Sequence, residues 1–231
     1  MEVNLKGVNV KLTPEKAVLI GNTAVISDLH LGYEEAMRKN GIYFPRFQIN
    51  EIKLNLKKLF NRKIKRLIVA GDLKHEFGYN LHQEWKDVEE FVEFVTPKVE
   101  LIVLRGNHDN YLKSILKNYG IDLLESFSLG EIEVIHGHLD KKVESAILGH
   151  EHPSIKLRIR GSIYNYPCFL RVKNFLVLPA FSPLMSGSDI LTLNAFLSPM
   201  LKKIDPEESE VYAICDGIFY LGKVKQIKAI S

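Results

Sequence analysis

The chain has 231 residues, 46% hydrophobic and 26% charged, enough to bury one sizeable core and too evenly balanced for long disordered stretches. A formal charge of +3 falls short of the bias of a dedicated nucleic-acid binder, yet leaves a nucleic-acid substrate open. No apolar run reaches the ~18 residues of a membrane span.

The first residues, Met1 to Lys6, lack a basic segment followed by an apolar one, so no signal peptide is expected. A cytoplasmic protein without a membrane partner is the expectation, with one domain over residues 1–231. Abundant Lys, Glu and Ile with scarce Gln lean towards a thermophilic source.

The apolar run from Thr23 to Ser27 stops at Asp28 and reads as a buried strand. Gln48 to Phe60 carries Ile49, Ile52, Leu56, Leu59 and Phe60 at helical spacing. Leu67 to Ala70 is a second buried strand, ended by Gly71-Asp72. Glu84 to Val95 is a second amphipathic helix, with Trp85, Val88, Phe91, Val92 and Val95 on one face. Leu101 to Leu104 is a third strand, ended by Arg105-Gly106-Asn107, and a helix is predicted near Tyr111 to Tyr119.

The second half is largely β. Strands are predicted over Ile132 to Ile135, Ala146 to Leu148, Ile155 to Arg160, Ile163 to Val172, Phe175 to Leu178 and Val211 to Ile214. Pro179 to Ser188 reads as a loop. Leu201 to Glu210 reads as a charged surface connection. Cys168 and Cys215, without Cys-x-x-Cys spacing and among apolar neighbours, read as two buried free thiols.

The chemistry gathers at strand ends. Asp28 and His30 follow the first strand and Asp72 the second. Asn107, His108 and Asp109 follow the third, His136 a fourth, and His150 and His152 a fifth. In α/β sheets such ends converge on one crevice. Singly, each has an ordinary explanation: a turn or cap for Asp28 and Asp72, a left-handed turn for Asn107, a structural or solvated ring for each His, His138 included. Asp-x-His, Gly-Asp, Gly-Asn-His-Asp, His-Gly-His and Gly-His-x-His after successive strands are not independent accidents.

Carboxylate, amide oxygen and imidazole without thiolate suit Mn, Fe or Zn. Seven donors exceed one tetrahedral zinc and fit two ions about 3.5 Å apart, with Asp72, alone on its strand, as the bridge. Such a pair neutralises phosphoryl oxygens and turns a bridging water into an attacking hydroxide. The leaving alkoxide needs a proton, and His108, beside Asn107, is the candidate acid.

Ser27-Asp28-Leu29-His30, Gly71-Asp72, Gly106-Asn107-His108-Asp109, His136-Gly137 and Gly149-His150-Glu151-His152 together resemble the five ordered motifs of the calcineurin-like metallophosphoesterases. The resemblance implies a four-layer αββα sandwich around a dinuclear centre; the mixed imidazole and carboxylate set fits two manganese ions, and iron or zinc nearly as well. By position, Asp28, His30 and His152 would hold the first ion and Asp72 would bridge. Asn107, His136 and His150 would hold the second, and His108 would contact phosphate.

Asp28-Leu29-His30-Leu31-Gly32-Tyr33-Glu34 and Gly149-His150-Glu151-His152-Pro153 further resemble a DNA-repair branch that includes archaeal SbcD-like proteins and bacterial phosphoesterases encoded beside DNA ligases. Pro167-Cys168-Phe169 and Leu178-Pro179-Ala180-Phe181 extend that likeness. Many members of the family read Gly-Asp-x-x-Asp at the second motif, where this chain has Gly71-Asp72-Leu73-Lys74-His75. His75 is therefore either a substrate-facing group, as in SbcD-type nucleases, or a surface histidine. The chain leaves no room for the capping domain of those larger nucleases.

The expected function is a phosphodiesterase processing DNA in repair, with a helicase or other repair protein as a conceivable partner. A small-molecule phosphatase or cyclic-nucleotide phosphodiesterase is the alternative. A non-enzymatic scaffold fits poorly, since every ligand position holds a suitable donor. Lys156, Arg158 and Arg160, with Arg171 and Lys173, form either a phosphate track or the charged guard of an edge strand.

Overall fold

The computed structural model describes residues 1–43, 45–79 and 81–229. Among these, seven strands form a first sheet, in order β1 (Glu2–Leu5), β2 (Val8–Leu12), β3 (Val18–Ile20), β4 (Thr23–Ile26), β5 (Arg66–Ala70), β6 (Glu100–Leu104) and β7 (Leu123–Leu124). β1 to β4 form an antiparallel meander, and β4 to β7 are parallel. Helices α1 (Tyr33–Lys39), α2 (Gln48–Phe60), α3 (His82–Val95) and α4 (Leu112–Lys117) lie in the connections of the parallel part.

The second sheet contains β8 (Phe127–Leu129), β9 (Ile132–Ile135), β10 (Ala146–Leu148), β11 (Pro153–Ile159), β12 (Ser162–Val172), β13 (Phe175–Val177), β14 (Ser188–Asp189), β15 (Glu210–Ile214) and β16 (Ile218–Lys223). Its order is β14-β11-β12-β13-β10-β9-β8, with β15 and β16 continuing from β12. The helix α5 (Val224–Lys228) follows β16.

Period-2 alternation explains the layering, because both faces of each central strand are buried. In β5, Leu67 and Val69 pack under the helices with Ile52, Leu56, Phe91 and Val95, while Ile68 and Ala70 face the second sheet. In β12, Phe169 meets the first sheet, whereas Cys168, Leu170 and Val172 face outwards. That outer face is covered by Ile190, Phe196 and Leu201 from coil and by Val224 and Ile227 of α5. The layers thus run helix, sheet, sheet and a thinner outer cover, as the αββα expectation holds. Among the described residues no helix is long and apolar enough to cross a membrane.

Several sequence readings need correction. Cys168 is buried but Cys215 is exposed, because Cys215-Asp216-Gly217 turns the β15–β16 hairpin; both thiols are free. The charged connection from Leu201 is anchored, not peripheral: Leu201 is fully buried. Arg160 lies beyond β11, in a left-handed turn with φ 50°. Arg171 lies on β12 six residues from Asn165, the partner of Lys156, or about 20 Å at strand rise. Arg171 pairs instead with Glu210 at 3.3 Å, so it does not extend a track from Lys156 and Arg158.

Candidate metal centre

The strand ends do converge. Oδ1 of Asp28, after β4, lies 3.0 Å from Nε2 of His152. Nε2 of His30 is 3.2 Å from Nε2 of His152 and 3.8 Å from Oδ2 of Asp72. Ligand atoms of Asp28, His30, Asp72 and His152 all fall within 4.8 Å of one another. Two carboxylates and two imidazole nitrogens aimed at one point suit a divalent cation of the manganese, iron or zinc type.

A second donor group shares Asp72. Nε2 of His136 is 3.4 Å from Oδ2 of Asp72 and 3.1 Å from Oδ1 of Asn107. Nδ1 of His136 donates to the Ala70 carbonyl at 2.9 Å, which turns Nε2 towards the site. The His150 ring stands edge-on to His136 at 5.1 Å, and its backbone N–H donates to the Asp28 carboxylate. The half-buried His138 ring stands 5.2 Å from that of His136.

His108 sits on the open side, its Nε2 4.0 Å from Oδ2 of Asp72 and its side chain 29% exposed. His75 is half-buried rather than a free surface residue. Its ring stacks on His108 at 5.5 Å, and its Nδ1 lies 3.4 Å from Nδ1 of His30. His30, His75 and His108 form a further group of closely spaced nitrogens.

The backbone is bent to deliver these groups. Asp28, His30, Asp72, His150 and His152 all have positive φ, from 45° to 69°. Non-glycine residues avoid this region, and clusters of such outliers mark functional sites. Gly106 explains one motif glycine: a Cβ there would meet Oδ1 of Asp72 at 2.0 Å. Fully buried Asp109 ties the loops together, accepting hydrogen bonds from the N–H groups of Asp72 and Gly106 at 2.8 Å and of Lys74 at 3.2 Å.

Electrostatics divide the histidines. Burial drives His30 down to about 3 and His75 and His150 each to about 4, leaving those rings neutral with free lone pairs. In His136, burial is overridden by the hydrogen bond and charge of Asp72, which raise the ring to about 9. His152 is also raised, by Asp28 against its burial. Burial pushes the Asp28 and Asp72 carboxyls up, but the neighbouring histidines outweigh it and hold both below their usual range. Without a metal, the His136 imidazolium offsets part of the charge of the two carboxylates.

A family model described as calcineurin-like phosphoesterase matches residues 21–173. The chain belongs to that family. The calcineurin-like phosphoesterases are metal-dependent phosphoester hydrolases with a dinuclear centre, and the donors above occupy the matched segment. No curated protein matches the sequence. Among solved structures, the fold is similar to the nuclease MPE of Pseudomonas putida, with a TM-score of 0.72 at 20% identity, over 96% of this chain and 99% of that one. The phosphoesterase Yfce of E. coli gives a TM-score of 0.41 at 19% identity, over 69% and 80% of the two chains.

Sequence reasoning overlooked the residues that brace the site. Asp109 was visible in its motif, but its three backbone partners were not. Buried Glu151 accepts from the N–H groups of Leu197 at 3.1 Å and Ser198 at 2.6 Å, fixing the His150–His152 turn to the outer cover. A charged residue between two candidate ligands, His150 and His152, was the available signal for Glu151.

Proposed function

We propose that this family member is a phosphodiesterase that cuts DNA strands, in the manner of the DNA-repair branch its motifs resemble, with manganese as the working metal. The observation that carries the reading is the convergence of Asp28, His30, Asp72 and His152 beside an accessible His108. In this proposal those four residues hold one ion, and Asn107, His136 and His150 hold a second with Asp72 shared. Bound there, two divalent ions supply Lewis acidity to a phosphoryl group and to a water.

The chain's own groups do the rest. Asp72 and Asp28 set the charge of the pocket. With Nδ1–H of His108 donating to a backbone carbonyl, Nε2 faces the substrate, and the imidazolium form of the ring gives the Nε2 proton to the leaving oxygen. His75, stacked on His108 and bonded to His30, keeps both rings in place.

A polymer substrate is favoured by the surroundings. A cavity of about 250 Å³ beside His136 is lined by Arg105, His138 and Lys141 together with Glu125 and Asp140. Phe77, 55% exposed, stands edge-on to His108 at 6.2 Å, and Tyr111 is 58% exposed. Exposed aromatic faces beside cations suit unpaired bases. β11 follows directly on His152 and carries Lys156 and Arg158 outwards.

The test compares manganese-loaded protein on a bis-aryl phosphodiester, an aryl monoester and single-stranded DNA. The expected result is hydrolysis of the diester and DNA, with DNA binding that weakens as salt rises. Turnover of the monoester alone would favour a small-molecule phosphatase.

A further inference from the structure

A buried ion pair lies behind the site with no role in the chemistry above. Lys74 is fully buried and Glu84, in the first turn of α3, is 1% exposed; Nζ and Oε2 are 3.4 Å apart. Such a pair costs several kcal/mol of desolvation per ion, repaid only by good geometry and further hydrogen bonds. Here the further bonds all go to one short segment. Oε1 of Glu84 accepts from the N–H groups of His75 at 2.9 Å and Glu76 at 2.6 Å, while Lys74 Nζ donates to the Glu76 carbonyl.

The neighbouring backbone is cleared for this contact. A Cβ on Gly32, which enters α1 at φ 86°, would lie 2.5 Å from Cβ of Glu84. The N–H of His75 also reaches the Leu31 carbonyl at 3.0 Å. The carbonyl of His75 points the other way and lies 2.5 Å from Nδ1 of His108. A carbonyl can only accept, so Nδ1 must carry a hydrogen and Nε2 is left to face the substrate.

We infer that Glu84, held by Lys74, is a positioning residue for phosphodiester cleavage: it fixes the His75–Glu76 peptide, whose carbonyl sets the orientation and tautomer of His108. This rests on the reading of His108 as the proton donor. Glu84 touches no reacting atom and acts through one peptide group.

The test uses Glu84→Gln in two measurements. In protein with ¹⁵N-labelled histidine, metal-free and zinc-loaded, neutral His108 is expected as the Nδ1–H tautomer in the wild type and as a mixture in the variant. In manganese-loaded protein, kcat is measured on phosphodiesters whose leaving alcohols span a range of basicity. The loss in Glu84→Gln is expected to grow with that basicity, to roughly 10- to 100-fold for the poorest leaving groups, with KM little changed.

A wild-type tautomer in the variant with the same loss for every leaving group would overturn the inference. If the single variant does not fold, Lys74→Met with Glu84→Gln removes both charges and takes its place. His108→Ala on the same series separates the two readings. No steepening in His108→Ala overturns the acid role, and that of Glu84 with it. Steepening in His108→Ala but not in Glu84→Gln overturns Glu84 alone.

Discussion

Nε2 of His152 lies 3.0 Å from Oδ1 of Asp28, and the contact joins the two sheets. Asp28 follows β4 of the first sheet, and His152 precedes β11 of the second. An ion held there links the layers directly. Saturating manganese should therefore raise the unfolding midpoint, by the equivalent of ~2.7 kcal/mol at a hundredfold excess over Kd. Asp28→Asn should abolish most of that rise, as read by thermal denaturation with and without metal. An equal rise in the variant would remove Asp28 from the ligand set.

Metal binding should release protons. In the metal-free protein, Asp72 raises His136 to about 9, so its ring is charged at neutral pH, and a metal needs the neutral form. Apparent affinity should thus climb as pH rises towards about 9. The raised value also stabilises the metal-free fold, fully below the unfolded value near 6.5 and lost as pH passes about 9. Calorimetry at pH 7.5 in buffers of different ionisation enthalpy counts the protons. At least one per site pair is expected, and none would contradict the assignment of His136.

Asp109→Ala should be among the costliest single substitutions. It strands three buried N–H groups, each worth ~1–3 kcal/mol when unsatisfied, so a loss on the order of 3 kcal/mol or more is expected in denaturant melts. Burial and the charge of Asp72 push the Asp109 carboxyl up to about 6. Asp109→Asn should also destabilise, because its amide can turn only one acceptor oxygen to the three donors. A melt unchanged within ~0.5 kcal/mol would show that the loops stand without this brace.

Much of the fold was legible because its central strands are unbroken apolar runs. β5 and β6 are buried on both faces, and α2 and α3 show a strong helical period. The strands β1 to β3 were missed because none is an unbroken buried apolar run of more than three residues: β1 and β2 are buried only at alternate positions, and β3 has three residues. In β1 only Val3 and Leu5 are buried, too brief a pattern to stand out. α1 was missed because Gly32 caps it without a side-chain bond and Glu34 is buried among polar neighbours. The convergence of Asp28, His30, Asp72, His150 and His152 was legible from their order after strands. Their left-handed backbone was not, since neither Asp nor His announces a positive φ. The link from Glu84 to His108 runs through main-chain atoms, which no side-chain pattern records.

The charges on β11 allow a separate test. Among the described residues the strand beyond Ser154 pairs only with β12, so Lys156 and Arg158 lie along an edge. If they track phosphates, replacing both with alanine should reduce the salt slope of single-stranded DNA binding by about 1.4. An unchanged slope would leave them as guards of the edge.

The most direct measurement strips the protein of metal, restores manganese and follows hydrolysis of a bis-aryl phosphodiester by wild type and His108→Ala, with bound metal counted in both. The expected result is activity restored by manganese, then lost by ~10²-fold or more in the variant while two ions per chain remain bound. A metal-loaded wild type inert on diester, monoester and DNA alike would contradict the dinuclear phosphodiesterase reading.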